Sequence, residues 1–352
     1  GQYYLHNFLP SQPDFNFHNE EVQDFLLGEV KFWLKKGVDG FRLDTVNYYF
    51  HDQELRDNPK SPIPFKEPPI NPYYMQNQLF AINQDENLVF LNKFRNLLNC
   101  YPETTSIGEI GDSHRAIKLM KEYTKGSRIH MAYSFKLLGK EFSAPFFRET
   151  IKEFYNEGTD SWPCWSFSNH DVTRHLSRWD KNESDSFAKL SCALLLSLPG
   201  TPCLYQGEEI GQVETELEFD ELTDPPGIRF WPKNKGRDGC RTPMTWDHQK
   251  INAGFSGKTP WLPVKEKQIN RSVSLQEDEP NSILNFYKQF ILFRKSNPAL
   301  SAGKHIFLNE HEDLLVFNRE IQHLKTLCIF NLSENAYVID IGGLSMDSNI
   351  SS

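Results

Sequence analysis

The sequence predicts an α/β fold, a parallel sheet covered by helices, followed by a small antiparallel β unit. Three observations carry this. Amphipathic helical segments alternate with short β-favouring runs through 19–205, and the connections from helix to strand are only a few residues long. From residue 302 the texture changes to short strand-like segments separated by polar turns. Alternation with tight αβ turns is what a parallel sheet requires.

The helix over 19–37 is punctuated at both ends. Asn19 suits the N-cap, Glu20 and Glu21 the positive first turn, and Lys35, Lys36 and Gly37 the far end. Val22, Phe25, Leu26, Val30, Trp33 and Leu34 share a face at helical spacing. A strand over 38–44 follows at once. Helices over 87–99, 113–123, 140–156 and 184–198 then lead into strands over 104–109, 128–135, 164–168 and 202–205. After a last helix, 283–296, the segments 305–308, 314–319, 326–332 and 336–341 read as antiparallel strands.

Such a series of strands fits an open doubly wound sheet or part of a (β/α)8 barrel. No G-x-G-x-x-G follows any strand, so a dinucleotide-binding sheet has no support. The loops after the strand C-termini are long, 47–84 and 206–281, as on the active-site face of a barrel. Within 57–74 the prolines Pro59, Pro62, Pro64, Pro68, Pro69 and Pro72 suggest a stiffened cover rather than a linker.

Composition excludes several function classes. The 352 residues carry a net charge of −9 with 24% charged side chains, which argues against nucleic acid as a partner. The aromatic load is heavy (Phe 27, Tyr 13, Trp 7), as in a core or a ligand cleft. The longest apolar run, 192–199, is far short of the roughly 20 residues of a membrane helix. Cys100, Cys164, Cys192, Cys203, Cys240 and Cys328 form no C-x-x-C pair and read as buried free thiols. The histidines show no ligand spacing and no phosphate loop is present, so no metal and no cofactor are expected. With no signal peptide visible, the expected location is cytoplasmic. The start at Gly1 and the polar tail 347–352 suggest a piece of a longer protein.

Three acids stand at or just past predicted strand C-termini: Asp44, Glu109 and Asp171. On a barrel those ends converge on one mouth. Arg42, two residues before Asp44, lies on the same strand face and can hold Asp44 ionised. Glu109, between Gly108 and Ile110, is expected in surroundings poor in charge that raise its pKa, as a general acid needs. Asn169, His170 and Asp171 form a polar group suited to sugar hydroxyls. A lone Asp at a strand end is commonly a cap; three acids in this order point to a two-carboxylate hydrolase.

At these residues the sequence resembles glycoside hydrolase family 13, the α-amylase family, in its α-glucosidase and oligo-1,6-glucosidase branch. Gly40-Phe41-Arg42-Leu43-Asp44 looks like the nucleophile strand, Gly108-Glu109 the acid/base strand, and Phe167-Ser168-Asn169-His170-Asp171 the strand of the transition-state stabiliser. Gln12-Pro13-Asp14-Phe15-Asn16, Gln206-Gly207-Glu208-Glu209-Ile210-Gly211 and Arg241-Thr242-Pro243-Met244-x-Trp246 are similar to further segments of the branch. The resemblance implies that Asp44 forms a covalent glucosyl-enzyme and that Glu109 protonates the leaving oxygen and then activates water. This is a retaining mechanism, whose carboxyls stand about 5–5.5 Å apart. It further implies that Asp171 and His170 bind sugar hydroxyls, that Arg42 orients Asp44, and that Arg174 helps hold the terminal glucose for exo-acting use. Thr45, after the nucleophile, leans toward α-1,4-linked substrates, so a maltooligosaccharide or related α-glucoside is the expected substrate.

The family's first three β/α units, with their Asp-x-x-x-Asn-His motif, have no counterpart here. The expected organisation is therefore a (β/α)8 TIM barrel lacking its first three β/α units: 1–18 as the tail of an inserted domain B, 19–300 as barrel strands 4–8, and 301–352 as a C-terminal β domain. Such a chain on its own is expected to be unstable or inactive. Competing functions are a transglycosylase, such as a sucrose isomerase or glucosyl transferase using the same acids, and a non-catalytic relative acting as a binding module. No membrane or nucleic-acid partner is expected, and the oligomeric state is open.

Overall fold

A computed structural model describes residues 1–340 apart from 63, 66, 113 and 157–159. Residue 113 at the expected start of the third helix, two positions of the Pro-rich loop, residue 341 and the tail after it lie outside the described residues.

The first helix, α1 (Glu20–Lys35), begins where Asn19 caps it by accepting from the Glu21 N–H. Strands β1 (Gly40–Leu43), β2 (Thr105–Ile110) and β3 (Met131–Ser134) pair in parallel and in chain order. Strands β4 (Cys164–Trp165) and β5 (Thr201–Pro202) form a second parallel pair, and a parallel bridge from Ala132 to Pro163 joins the two sets. The result is one arc of consecutive parallel strands. Helices α2 (Asp85–Leu98), α3 (Ala116–Thr124), α4 (Ala144–Tyr155), α5 (His175–Trp179) and α6 (Asp185–Ser197) fill the connections. Gly40 lets β1 lie close to β2, and Gly108 leaves room for core side chains above the sheet. A Cβ on Gly40 would sit 2.1 Å from the Thr105 carbonyl oxygen, and one on Gly108 would sit 2.4 Å from Ile129.

Helix α4 starts later than the expected residue 140, because Ser143 caps it by accepting from the Phe146 N–H and Pro145 suits its first turn. Strands β1, β3, β4 and β5 end short of the expected residues at the mouth, whereas β2 runs one residue past its expected end, to Ile110. The core joins α2, α3, α4 and α6 to the arc through Phe90, Leu91, Phe94, Met120, Phe147, Phe154, Trp165 and Leu195. Many of the aromatic side chains sit here. The ring clusters Phe17–Tyr49–Phe90 and Phe142–Phe147–Trp179 are packing.

The predicted apolar face of α1 is only partly buried. Leu34 is in the core, with Leu26 and Val30 packed against it, while Phe25 and Trp33 are 58% and 52% exposed. Among the described residues β1 and β5 each pair on one side only.

The C-terminal strands β6 (Lys304–Phe307), β7 (Leu314–Ile321) and β8 (Leu324–Asn331) form an antiparallel sheet. The expected strand over 336–341 is not formed at 336–340. Val338 is fully exposed, and the Tyr337 hydroxyl hooks onto Asp313 instead of extending a ladder. Two buried guanidiniums fasten this sheet. Arg148 of α4 donates from Nη2 to the carbonyls of His311 and Leu314, at 2.7 and 3.2 Å, and Arg319 donates to those of Ser197 and Gly303, at 2.7 and 2.8 Å. The Pro-rich loop folds back on itself through a bridge between Lys60 and Gln76. Tyr73 within it meets the hydroxyl of Tyr48 at 3.0 Å, tying the loop to the segment after β1. No helix of the described residues is long and apolar enough to cross a membrane.

Candidate active site

Period two on β1 puts Arg42 and Asp44 on one face, and the register sets Arg42 opposite Ile107, so Glu109 follows two residues further on that face. The three side chains meet. Arg42 bonds Asp44 through Nη1, and its Nη2 lies 2.9 Å from Glu109 Oε1. One guanidinium thus bridges both carboxylates. Their environments differ sharply: the Asp44 side chain is 70% exposed and that of Glu109 3%. Burial pushes the Glu109 pKa up, opposed by a hydrogen bond from Tyr133 and by Arg42. The expected direction is found, but the expected lack of charge is not, since Arg42, Asp44 and Tyr133 all crowd this carboxyl. Thr45, at φ 39°, turns its N–H toward Glu109 Oε2 at 3.3 Å.

Asp171 stands in a second cluster past β4. Its N–H donates to Asn169 Oδ1 at 2.9 Å, a turn that aims the carboxylate outward. Oδ1 accepts from Arg237 at 3.0 Å and from Arg241 at 2.9 Å, and His170 Nε2 lies 3.3 Å from Oδ2. Arg241 also donates to the His170 carbonyl at 2.7 Å, and Arg237 pairs with the buried Asp224 at 2.6 Å. Both arginines come from the long loop 206–281. Arg241 opens the motif Arg241-Thr242-Pro243-Met244, a visible signal to which the sequence reading attached no role. Arg237 carries no such signal.

Arg174, expected to help hold the terminal glucose, is buried beside this cluster. It is 1% exposed, donates to the carbonyls of Gln206 and Cys240 at 2.7 and 3.0 Å, and lies over the Tyr205 ring. Held in this way, its guanidinium ties the segment after β5 to the backbone at Cys240.

Among the described residues no group of three or more His, Cys, Asp and Glu side chains is arranged to hold a metal ion. The cysteines are free thiols, Cys100 exposed, Cys203 partly so and the others buried.

A parallel arc with a bridged carboxylate pair and a third clamped carboxylate at its strand C-termini is the arrangement of a two-carboxylate barrel site. The comparisons with known proteins agree. Residues 1–303 match the alpha amylase catalytic domain, and the chain belongs to that family, whose fold is a TIM barrel with a C-terminal antiparallel sheet. It is 48% identical to a probable alpha-glucosidase of Rhizobium meliloti (strain 1021) over 95% of this chain and 62% of that protein. It is 32% identical to an oligo-1,6-glucosidase of Heyndrickxia coagulans over 97% of this chain and 66% of that one. These relatives place it in the family's α-glucosidase branch. The alpha-glucosyl transfer enzyme XgtA superposes with a TM-score of 0.89 at 46% identity, over 94% of this chain and 62% of that one. The chain therefore spans a little under two thirds of the length of these proteins.

Proposed function

We propose that the protein is a retaining, exo-acting α-glucosidase that releases glucose from α-1,4-linked maltooligosaccharides and related α-glucosides. The observation that carries this is the single guanidinium of Arg42 joining an exposed Asp44 to a buried Glu109. Asp44, paired with Arg42, attacks the anomeric carbon as the bond to the leaving oxygen breaks, and Glu109 gives that oxygen its proton. Water then attacks the glucosyl ester, loses a proton to Glu109 and frees Asp44. Asp171, aimed by Arg237 and Arg241, accepts hydrogen bonds from sugar hydroxyls, with His170 beside it. Arg241, 24% exposed on its side chain, takes over the glucose contact expected of Arg174. The α-1,4 preference rests on Thr45 and the family tendency alone.

The domain reading belongs with this proposal. Residues 1–18 contain no helix or strand, as suits the end of an inserted domain, and 19–300 supply strands 4–8 of the barrel. The one-sided β1 and β5 and the outward Phe25, Phe32 and Trp33 of α1 support it, because missing β/α units would cover them.

The test is turnover of 4-nitrophenyl α-glucoside by the protein expressed in its full reading frame, against Asp44→Asn. Activity abolished by that change supports the proposal; activity that persists refutes it. A second reading, glucosyl transfer, is favoured by the similarity to XgtA. Longer oligosaccharides dominating the products at high maltose would select it over hydrolysis.

A further inference from the structure

Beyond the paired carboxylates, β3 contributes a group to the same site. Tyr133 lies directly opposite Glu109 in the β2–β3 register, so the two side chains share the mouth-facing side. Its hydroxyl is 2.7 Å from Glu109 Oε1 and 2.9 Å from Arg42 Nη2, and the ring is 6% exposed. A guanidinium only donates, so the phenol accepts from Arg42 and must spend its one proton on Glu109. Oε1 then receives both Tyr133 and Arg42, the latter at 2.9 Å, whereas Oε2 receives only the Thr45 N–H at 3.3 Å.

We infer that Tyr133 is a positioning residue for Glu109: it pins the transferable proton to Oε2 and favours the ionised form that must take a proton from water. This rests on the reading of Glu109 as acid and base. A protonated carboxyl carries its hydrogen on one oxygen, and a carboxyl whose Oε1 already accepts two donors can place it only on Oε2. That oxygen lies on the Thr45 side and is the one left free to meet the leaving oxygen. The charged and titratable groups facing Glu109 are Arg42 and Asp44 from β1 and its end, Tyr49 from the following turn, and Tyr133 from β3. Burial holds the Tyr49 phenol protonated, and the Tyr133 phenol is raised by burial and by Glu109, so neither titrates near neutrality. Of these groups Tyr133 alone can lose its polar contact without losing shape.

The experiment is the pH profile of kcat/KM on an aryl α-glucoside for Tyr133→Phe, in the full reading frame. Losing a donor to the carboxylate raises the Glu109 pKa, so the basic limb moves up by about one pH unit. Turnover of α-glucosyl fluoride, whose leaving group needs no proton, is expected to keep its kcat/KM within about threefold. An unmoved basic limb in a variant that melts at the parent temperature would overturn the inference, because a merely structural tyrosine leaves the limb in place. Glu109→Gln separates the two levels. Loss confined to the aryl substrate upholds the acid/base reading; equal loss on both substrates removes that reading and the role of Tyr133 with it.

Discussion

Replacing Arg42 by Met leaves the backbone of β1 intact and removes the bridge. The guanidinium lies 2.9 Å from a Glu109 carboxyl that is 2% exposed, and it donates to Tyr133 at 2.9 Å. Stripping the partner from a buried charge costs about 3–5 kcal/mol. The arm to Asp44, whose side chain is 70% exposed, adds at most about 1 kcal/mol. Glu109 escapes most of its penalty by staying protonated. The loss therefore falls on the ionised Glu109 that must take a proton from water, and kcat should drop by roughly 10²- to 10⁴-fold where that step limits turnover. Arg42 lowers the Glu109 pKa, so its removal also carries the basic limb to higher pH. Steady-state kinetics across the pH range on an aryl α-glucoside provide the assay. A loss below tenfold with an unmoved basic limb would show that the bridge does not organise the pair.

Other outcomes follow from the same geometry. Arg241→Lys cannot reach both Asp171 and the His170 carbonyl, so kcat/KM should fall about 10- to 100-fold with little change in melting temperature. Arg174→Lys should do the reverse, lowering the melting temperature while the folded enzyme keeps its kcat/KM. Arg148→Met orphans two carbonyls of the C-terminal sheet and should cost about 3 kcal/mol in denaturant unfolding, or reveal by its silence that the sheet is not held there. Glu208 is buried, and neither carboxyl oxygen has a hydrogen-bond partner among the described residues, although His175 Nδ1 lies 3.8 Å from Oε1. Burial pushes its pKa up to about 8. The native state then binds a proton that the unfolded chain releases above the ordinary glutamate range, so this residue costs stability as pH rises from about 4.5 towards 8. Glu208→Gln should melt above the parent at pH 8 and alike at pH 5; the same gap at both would contradict the buried-acid account.

The alternation of helices and strands was legible partly because several helices carry their own punctuation: Asn19, Ser184 and Ser282 each accept from an N–H of the first turn of the helix that they begin. Arg42 and Asp44 were legible because strand periodicity puts them on one face, and Glu109 because it stands at the end of the next predicted strand. Tyr133 was not, since on β3 it reads as one more strand aromatic and only the register to Glu109 reveals it. Arg237 comes from an irregular loop, where no periodicity links sequence to place. For Arg174 the spacing from Asp171 was visible, but spacing says nothing of the carbonyls to which it donates. The strand expected over 336–341 failed because β propensity needs a partner edge.

The central claim is that Asp44 becomes covalently glucosylated. Brief exposure of the protein, in its full reading frame, to 5-fluoro-α-glucosyl fluoride, followed by peptic digestion and mass spectrometry, tests it directly. The account predicts one added fluoroglucosyl group, carried by the peptide containing Asp44. A label on a peptide without Asp44, or turnover with no trapped intermediate and with inversion at the anomeric carbon, would contradict it.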